Sequence, residues 1–190
     1  MSEGRTWYWI DPSRRSRVFF VLLGITLALM ISLQLIGAPL QTDAAPTGII
    51  SFELAGNLAA SQAMLDSWDL QGQVFAGLSL GLDYLFMVAY SITISLGCIT
   101  VRGNLHSRFK LLIRLGILLA WAQYLAALLD ALENYALIRV LLGTQNALWP
   151  QVALWSAVPK FLFVILGILF VILGALVTMV PSNRSAQVRT

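Results

Sequence analysis

The chain has 190 residues, of which 58% are hydrophobic and only 11% are charged. Soluble proteins carry charge on roughly a quarter of their residues, so this composition excludes a soluble fold and indicates an integral membrane protein. The net charge of +3 does not indicate a nucleic-acid partner, because the basic residues gather beside apolar segments. The single cysteine, Cys98, excludes an internal disulfide and a thiolate zinc site.

Four apolar segments are long enough to cross about 30 Å of hydrocarbon, which takes roughly 20 helical residues. They are predicted at about residues 18–37, 74–101, 111–142 and 158–180. The first is longer than the core of a cleaved signal peptide, roughly 7 to 15 residues, and is interpreted as a retained helix. The predicted fold is therefore all-α, a four-helix transmembrane bundle that forms a single membrane domain over residues 1–190.

The connection over residues 38–73 is the longest region outside the predicted spans. Between Ile49 and Trp68 the apolar residues recur with a rough helical period. Such a pattern predicts an additional amphipathic helix that lies at the membrane interface. The sequence is too interrupted to form a fifth span.

The distribution of charge predicts the orientation. Basic residues precede the first span, lie between the second and third, and follow the fourth, whereas residues 41–73 contain four acids and no lysine or arginine. Because cytoplasmic loops are enriched in lysine and arginine, both termini are predicted in the cytoplasm and the loop 38–73 outside. The expected location is a bacterial inner membrane.

Three acids interrupt the apolar segments: Asp83 in the second, and Asp130 and Glu133 in the third. A carboxylate in hydrocarbon is costly unless it is neutralised, paired or hydrated, so each acid is a functional-site hypothesis. At about 100° per residue, Asn134 shares a helix face with the two acids of the third span. Tyr90 shares a face with Asp83, and antiparallel packing would bring all three acids to a similar depth.

The acids predict one outward-facing polar pocket. Glu53, in the amphipathic segment, and Lys160, at the expected start of the fourth span, lie on the same side of the membrane and are expected to join it. The pocket would bind a small polar or cationic ligand, or a partner protein, and the bilayer is the other partner. The candidate residues are Glu53, Asp83, Tyr90, Asp130, Glu133, Asn134 and Lys160.

No cofactor is assigned, and no metal ion. Carboxylates suit hard cations, but their spacing matches no metal-binding loop. His106, the only histidine, is predicted in an inner loop, which argues against a Ser-His-Asp site built on these acids.

Three alternatives remain open. A carboxylate-based enzyme acting on a lipid-type substrate would use Asp130 or Glu133 as the general base, with Asp83 as its partner. A proton- or cation-coupled transporter would use proton exchange on a buried acid, although four spans are few for transport unless the protein oligomerises. In the third alternative, Asp130 and Glu133 are hydrated acids above the hydrocarbon. Asp83 then only hydrogen-bonds to Tyr90 or to the backbone.

Several short motifs follow one another in a fixed order: FELAG at residues 52–56, Trp68, LDYLF at residues 82–86 and DALEN at residues 130–134. In this order, over roughly residues 45–142, the chain resembles a group of small four-span bacterial integral membrane proteins. The resemblance implies that the acids belong together, and it implies no activity, ligand or cofactor.

Overall fold

The computed structural model of the protein describes residues 10–105 and 109–179. All the regular secondary structure in this part of the chain is helical, and it contains no strand. The elements are α1 Pro12–Gly37, a 3-10 turn Ala38–Leu40, α2 Ile49–Glu53, α3 Leu58–Ser67, α4 Leu70–Asn104, α5 Lys110–Leu141 and α6 Leu148–Met179. Four of these helices, α1, α4, α5 and α6, are long and apolar enough to cross a membrane. The predicted all-α bundle is confirmed, and the chain is a multi-pass membrane protein.

Capping side chains fix where two of the long helices begin. Asp11 accepts a hydrogen bond from the backbone N–H of Ser13 at 2.9 Å at the start of α1. Asp69 accepts one from Gly72 at 2.7 Å at the start of α4. Such caps satisfy N–H groups that have no partner within the helix, so both helices begin before the apolar segments from which they were predicted.

The fourth spanning helix begins ten residues earlier than the predicted residue 158, at Leu148. Pro159 lies inside this helix, where it leaves the carbonyl four residues earlier without its usual donor. The chain turns before the helix instead, where Gly143 has φ +82°. Lys160 therefore lies more than three turns into α6 and not at the start of the helix.

The predicted amphipathic helix between residues 49 and 68 is two helices. Gly56 separates α2 from α3 with φ +67°, a conformation that glycine adopts readily and other residues rarely. Asn57 then caps the start of α3. The indole N–H of Trp68 donates to the carbonyl of Leu40 at 2.8 Å, which connects the end of α3 to the 3-10 turn that follows α1. This arrangement holds α2 against α5 and α6.

The central helix of the bundle is α4, since α1, α5 and α6 all pack against it. α5 and α6 also pack against each other. Two glycines of α6 allow this helix to lie close to α4 and α5. A Cβ at Gly167 would collide with Gln123 of α5 and Ile94 of α4, and a Cβ at Gly174 would collide with Val101 of α4. The close contact between these three helices determines which side chains meet in the interior.

Candidate functional site

The acids of α5 lie inside the bundle. Asp130 and Glu133 are 2% and 0% exposed, and α5 continues to Leu141, about two turns further on. Asn134 beside them is also buried, whereas Arg139 on the opposite face is exposed. Neither acid therefore lies at an exposed helix end, because the neighbouring helices cover both side chains.

Lys160 of α6 lies among these acids and is itself buried. Its Nζ is 3.0 Å from Asp130 Oδ1 and 2.7 Å from Glu133 Oε2. A longer pair of 3.9 Å joins it to Glu53 Oε2. Within residues 10–105 and 109–179, the ion pairs of these acids all go to this lysine, so one buried ammonium group faces three carboxyl groups.

Hydrogen bonds to the carboxyl groups of Asp130 and Asp83 join α4 to α5 at the same level. Tyr90 donates its hydroxyl hydrogen to Asp130 Oδ2 at 2.9 Å, and Asn134 donates from Nδ2 to Asp83 Oδ2 at 2.6 Å. The alternative of a bond between Asp83 and Tyr90 is wrong, because the tyrosine reaches across to α5. Asp83 makes no ion pair within the described ranges, and its partner is a neutral amide.

A cavity of about 660 Å³ opens beside these polar groups and is lined mainly by α1, α4 and α6. Glu53, Asp83 and Lys160 lie together at what we call its polar end, where Asp130 also reaches the surface of the cavity. Glu133 is fully buried and lies outside the lining. Glu53, Asp83 and Asp130 thus face the cavity, whereas Glu133 contacts only the interior of the bundle.

The rest of the cavity is mainly apolar, and it is elongated. Its lining along α1 runs from Phe19 to Gly37, about 27 Å at 1.5 Å per residue. Away from α2 the walls converge on Gly97 of α4: a Cβ there would lie 3.1 Å from Phe19 Cε2 and 2.8 Å from Val171 Cγ2. α1 and α6 therefore meet α4 closely at this glycine, and the cavity lies on the α2 side of the contact.

Glu53 brings a carboxyl group to the cavity from outside the membrane-spanning helices. It is 9% exposed, and its Oε2 has no hydrogen-bond donor among the described residues. Burial raises the pKa of Glu53 above its ordinary value; the positive charge of Lys160 opposes this increase and the negative charge of Asp130 adds to it. The carboxyl group of Glu133 also interacts with that of Glu53, so Glu53 belongs to the same cluster of charges.

All seven residues named from the sequence lie in this cluster or line the cavity, and their role in binding stays a prediction. The sequence analysis missed the wall contributed by α1. Thr26 and Gln34 both belong to this wall. They are polar residues in an apolar span, and their spacing of eight residues places them on one face of the helix. This pattern could have indicated from the sequence that α1 lines a polar site. His106 lies outside the described residues.

The fold and the cluster define a class: a four-helix multi-pass membrane protein with a buried ionic cluster beside an elongated cavity. Comparison with protein-family models, with curated proteins and with solved structures finds no match for the chain. The function is therefore argued from the geometry and charge of the cavity.

Proposed function

We propose that the protein binds a small cationic or polar ligand at the polar end of the cavity, with Asp83 and Glu53 as the groups that meet it. The observation that supports this proposal is an imbalance of charge. The cluster holds four carboxyl groups, those of Glu53, Asp83, Asp130 and Glu133, and a single ammonium group, that of Lys160, which contacts three of them. A carboxylate in a poorly hydrated interior must be protonated or matched by a cation, and a cationic ligand would supply the missing positive charge.

The same geometry favours binding over catalysis by the α5 acids. A general base must direct a free lone pair at the proton that it removes. Asp130 holds Lys160 on one oxygen at 3.0 Å and accepts from Tyr90 on the other at 2.9 Å, and Glu133 lies outside the lining of the cavity. Asp83 differs from them because it lines the cavity and accepts its hydrogen bond from a neutral amide.

The predicted orientation indicates which side of the membrane the polar end of the cavity faces. It lies in the half of the bundle where α1 ends and α4 begins. If the positive charges hold both termini in the cytoplasm, this end faces the outside of a bacterial inner membrane. The ligand would then arrive from the external solution or from the outer leaflet.

Titration of the purified protein in nanodiscs with methylammonium tests this proposal. Asp83→Asn keeps the shape of the side chain and removes its charge, and we expect it to weaken binding at least about tenfold, equivalent to about 1.4 kcal/mol. Asp66→Asn is the matched control, since Asp66 is exposed on α3 and lies outside the cavity lining. Equal affinities in the two variants, or no binding by the wild type, would overturn the proposal.

A further inference from the structure

The cavity extends well beyond the groups that a small cation would contact. Its lining along α6 runs from Lys160 to Ile172, about 18 Å at 1.5 Å per residue. This length is close to one leaflet of a hydrocarbon core that is about 30 Å thick. The volume of about 660 Å³ lies within the range of about 300–1,000 Å³ found for ligand sites, and a small cation would occupy only the polar end.

The walls of this longer part are apolar and come from two facing helices. Leu23 and Leu27 of α1 and Val164 and Ile168 of α6 line it, and we call it the apolar compartment. α1 and α6 pack on α4 rather than on each other. Leu27 and Ile168 are 44% and 41% exposed, so on spanning helices they also face lipid. The apolar compartment is therefore accessible from the bilayer between α1 and α6.

The charge of the polar end selects the head group. Lys160 is already contacted by three carboxyl groups, so an anionic head would meet an excess of negative charge. An ammonium group would instead face Asp83 and the buried Glu53, whose Oε2 has no hydrogen-bond donor among the described residues. Ammonium groups donate three hydrogen bonds, and carboxylate oxygens are the acceptors present here.

We infer that the cavity takes a membrane amphipath with an ammonium head group and an alkyl chain, which enters between α1 and α6. The head lies at the polar end and the chain occupies the apolar compartment. This inference rests on the proposed function, because the head group uses the same cationic site. It adds the chemical class of the ligand and the route by which the ligand arrives.

Three probes separate the head from the chain: dodecylammonium, dodecanol and methylammonium, each titrated into wild-type protein in nanodiscs of a zwitterionic lipid. We expect dodecylammonium to bind most tightly, at least about tenfold more tightly than either of the others, which corresponds to about 1.4 kcal/mol. Asp83→Asn should reduce this preference for the amine over the alcohol. Partition into empty nanodiscs provides the baseline that is subtracted from each titration.

Two matched pairs of variants test the position of the chain. Ile168→Trp fills the apolar compartment from α6, and Leu169→Trp places the same side chain next to it, where 46% of Leu169 is exposed and the residue lies outside the lining. Leu27→Trp and Ile25→Trp form the same pair on α1. We expect the two lining variants to weaken dodecylammonium binding at least about tenfold and to leave methylammonium binding unchanged. The two controls should behave as the wild type.

The outcomes distinguish this inference from the proposed function. If methylammonium binds as tightly as dodecylammonium and the lining variants have no effect, the amphipath is excluded and the cation site stands. If dodecanol binds as tightly as the amine, the ammonium head is excluded. If no amine binds, both proposals fail. A lining variant that loses its helical circular dichroism is replaced by the corresponding variant on the other helix.

Discussion

Lys160 Nζ lies 2.7 Å from Glu133 Oε2, and the two residues are 5% and 0% exposed. They come from α6 and α5, so the pair joins two spanning helices in the interior of the bundle. Removing one member of a buried ion pair leaves the other charge without compensation, which costs more than the pair itself contributes. The lysine therefore stabilises the fold as well as shaping the polar end of the cavity.

Lys160→Met should be strongly destabilising. The variant keeps a long apolar side chain but leaves Asp130 and Glu133 without a cation, and we expect the free energy of unfolding in mixed micelles to fall by about 3–5 kcal/mol. Lys110→Met, at the exposed start of α5, is the control and should change little. Adding Glu133→Gln to the first variant should restore part of the loss. Equal stability of the two single variants would contradict the role of the ion pair.

Tyr90→Phe should destabilise the protein more than Tyr84→Phe. Tyr90 is 5% exposed and donates to the carboxyl group of Asp130, and hydrogen bonds to charged groups contribute about 1.5–3 kcal/mol. Tyr84 is 36% exposed and donates to the carbonyl of Ala131 at 3.2 Å, a neutral bond of about 0.5–1.5 kcal/mol. Unfolding curves measured under identical conditions would show the order. A larger loss at Tyr84 would be the contrary result.

The buried faces of α4 and α5 could be predicted from the sequence, because helical periodicity decides which residues share a face. Asp130, Glu133 and Asn134 form one stripe at 3.6 residues per turn, and an acid in a span must turn inward. The depth of Lys160 could not be predicted in the same way. The apolar segment alone predicts a span from about residue 158, whereas α6 begins at Leu148, after the turn at Gly143.

The apolar compartment could not be predicted from hydropathy, since the side chains that face lipid and those that line an apolar cavity are equally apolar. Leu27 and Ile25 illustrate this, because both are aliphatic and similarly exposed and only Leu27 lines the cavity. Which of the two lines the cavity follows from how α1 packs on α4. Tertiary packing, not the local sequence, determines that difference.

Glu53→Gln should change the pH dependence of stability. Burial raises the pKa of Glu53 in the folded protein, so the folded state keeps a proton in a pH range where the unfolded chain has lost it. Stability then falls as the pH rises from the ordinary pKa of a glutamate to the raised value. Glutamine does not titrate, so the stability of the variant relative to wild type should increase over this range.

The groups that face Glu53 are Lys160, Asp130 and Glu133, so the comparison reports the titration of Glu53 together with its effect on these neighbours. The measurement is the difference in free energy of unfolding between wild type and variant at several pH values. A constant difference would contradict a raised pKa of Glu53 in the folded cluster.

Gly167→Ala should destabilise the contact between α5 and α6. A Cβ at this position would collide with the amide of Gln123 and with Ile94. The amide of Gln123 is fully buried and donates to the carbonyl of Phe163 on α6 at 2.9 Å, so an alanine must displace a hydrogen bond between helices. Overpacking of this kind costs about 1–3 kcal/mol.

Gly24→Ala is the matched control, because Gly24 lies within the spanning helix α1 and a Cβ there has no neighbour within 4 Å. Alanine has a higher helix propensity than glycine by about 1 kcal/mol, so this variant should be as stable as the wild type or more stable. Methylammonium binding should remain intact in both variants, since neither glycine lines the cavity. If Gly167→Ala were as stable as Gly24→Ala, α6 would have room to move away from Gln123. The close contact between α5 and α6 at Gly167 would then contribute little to stability.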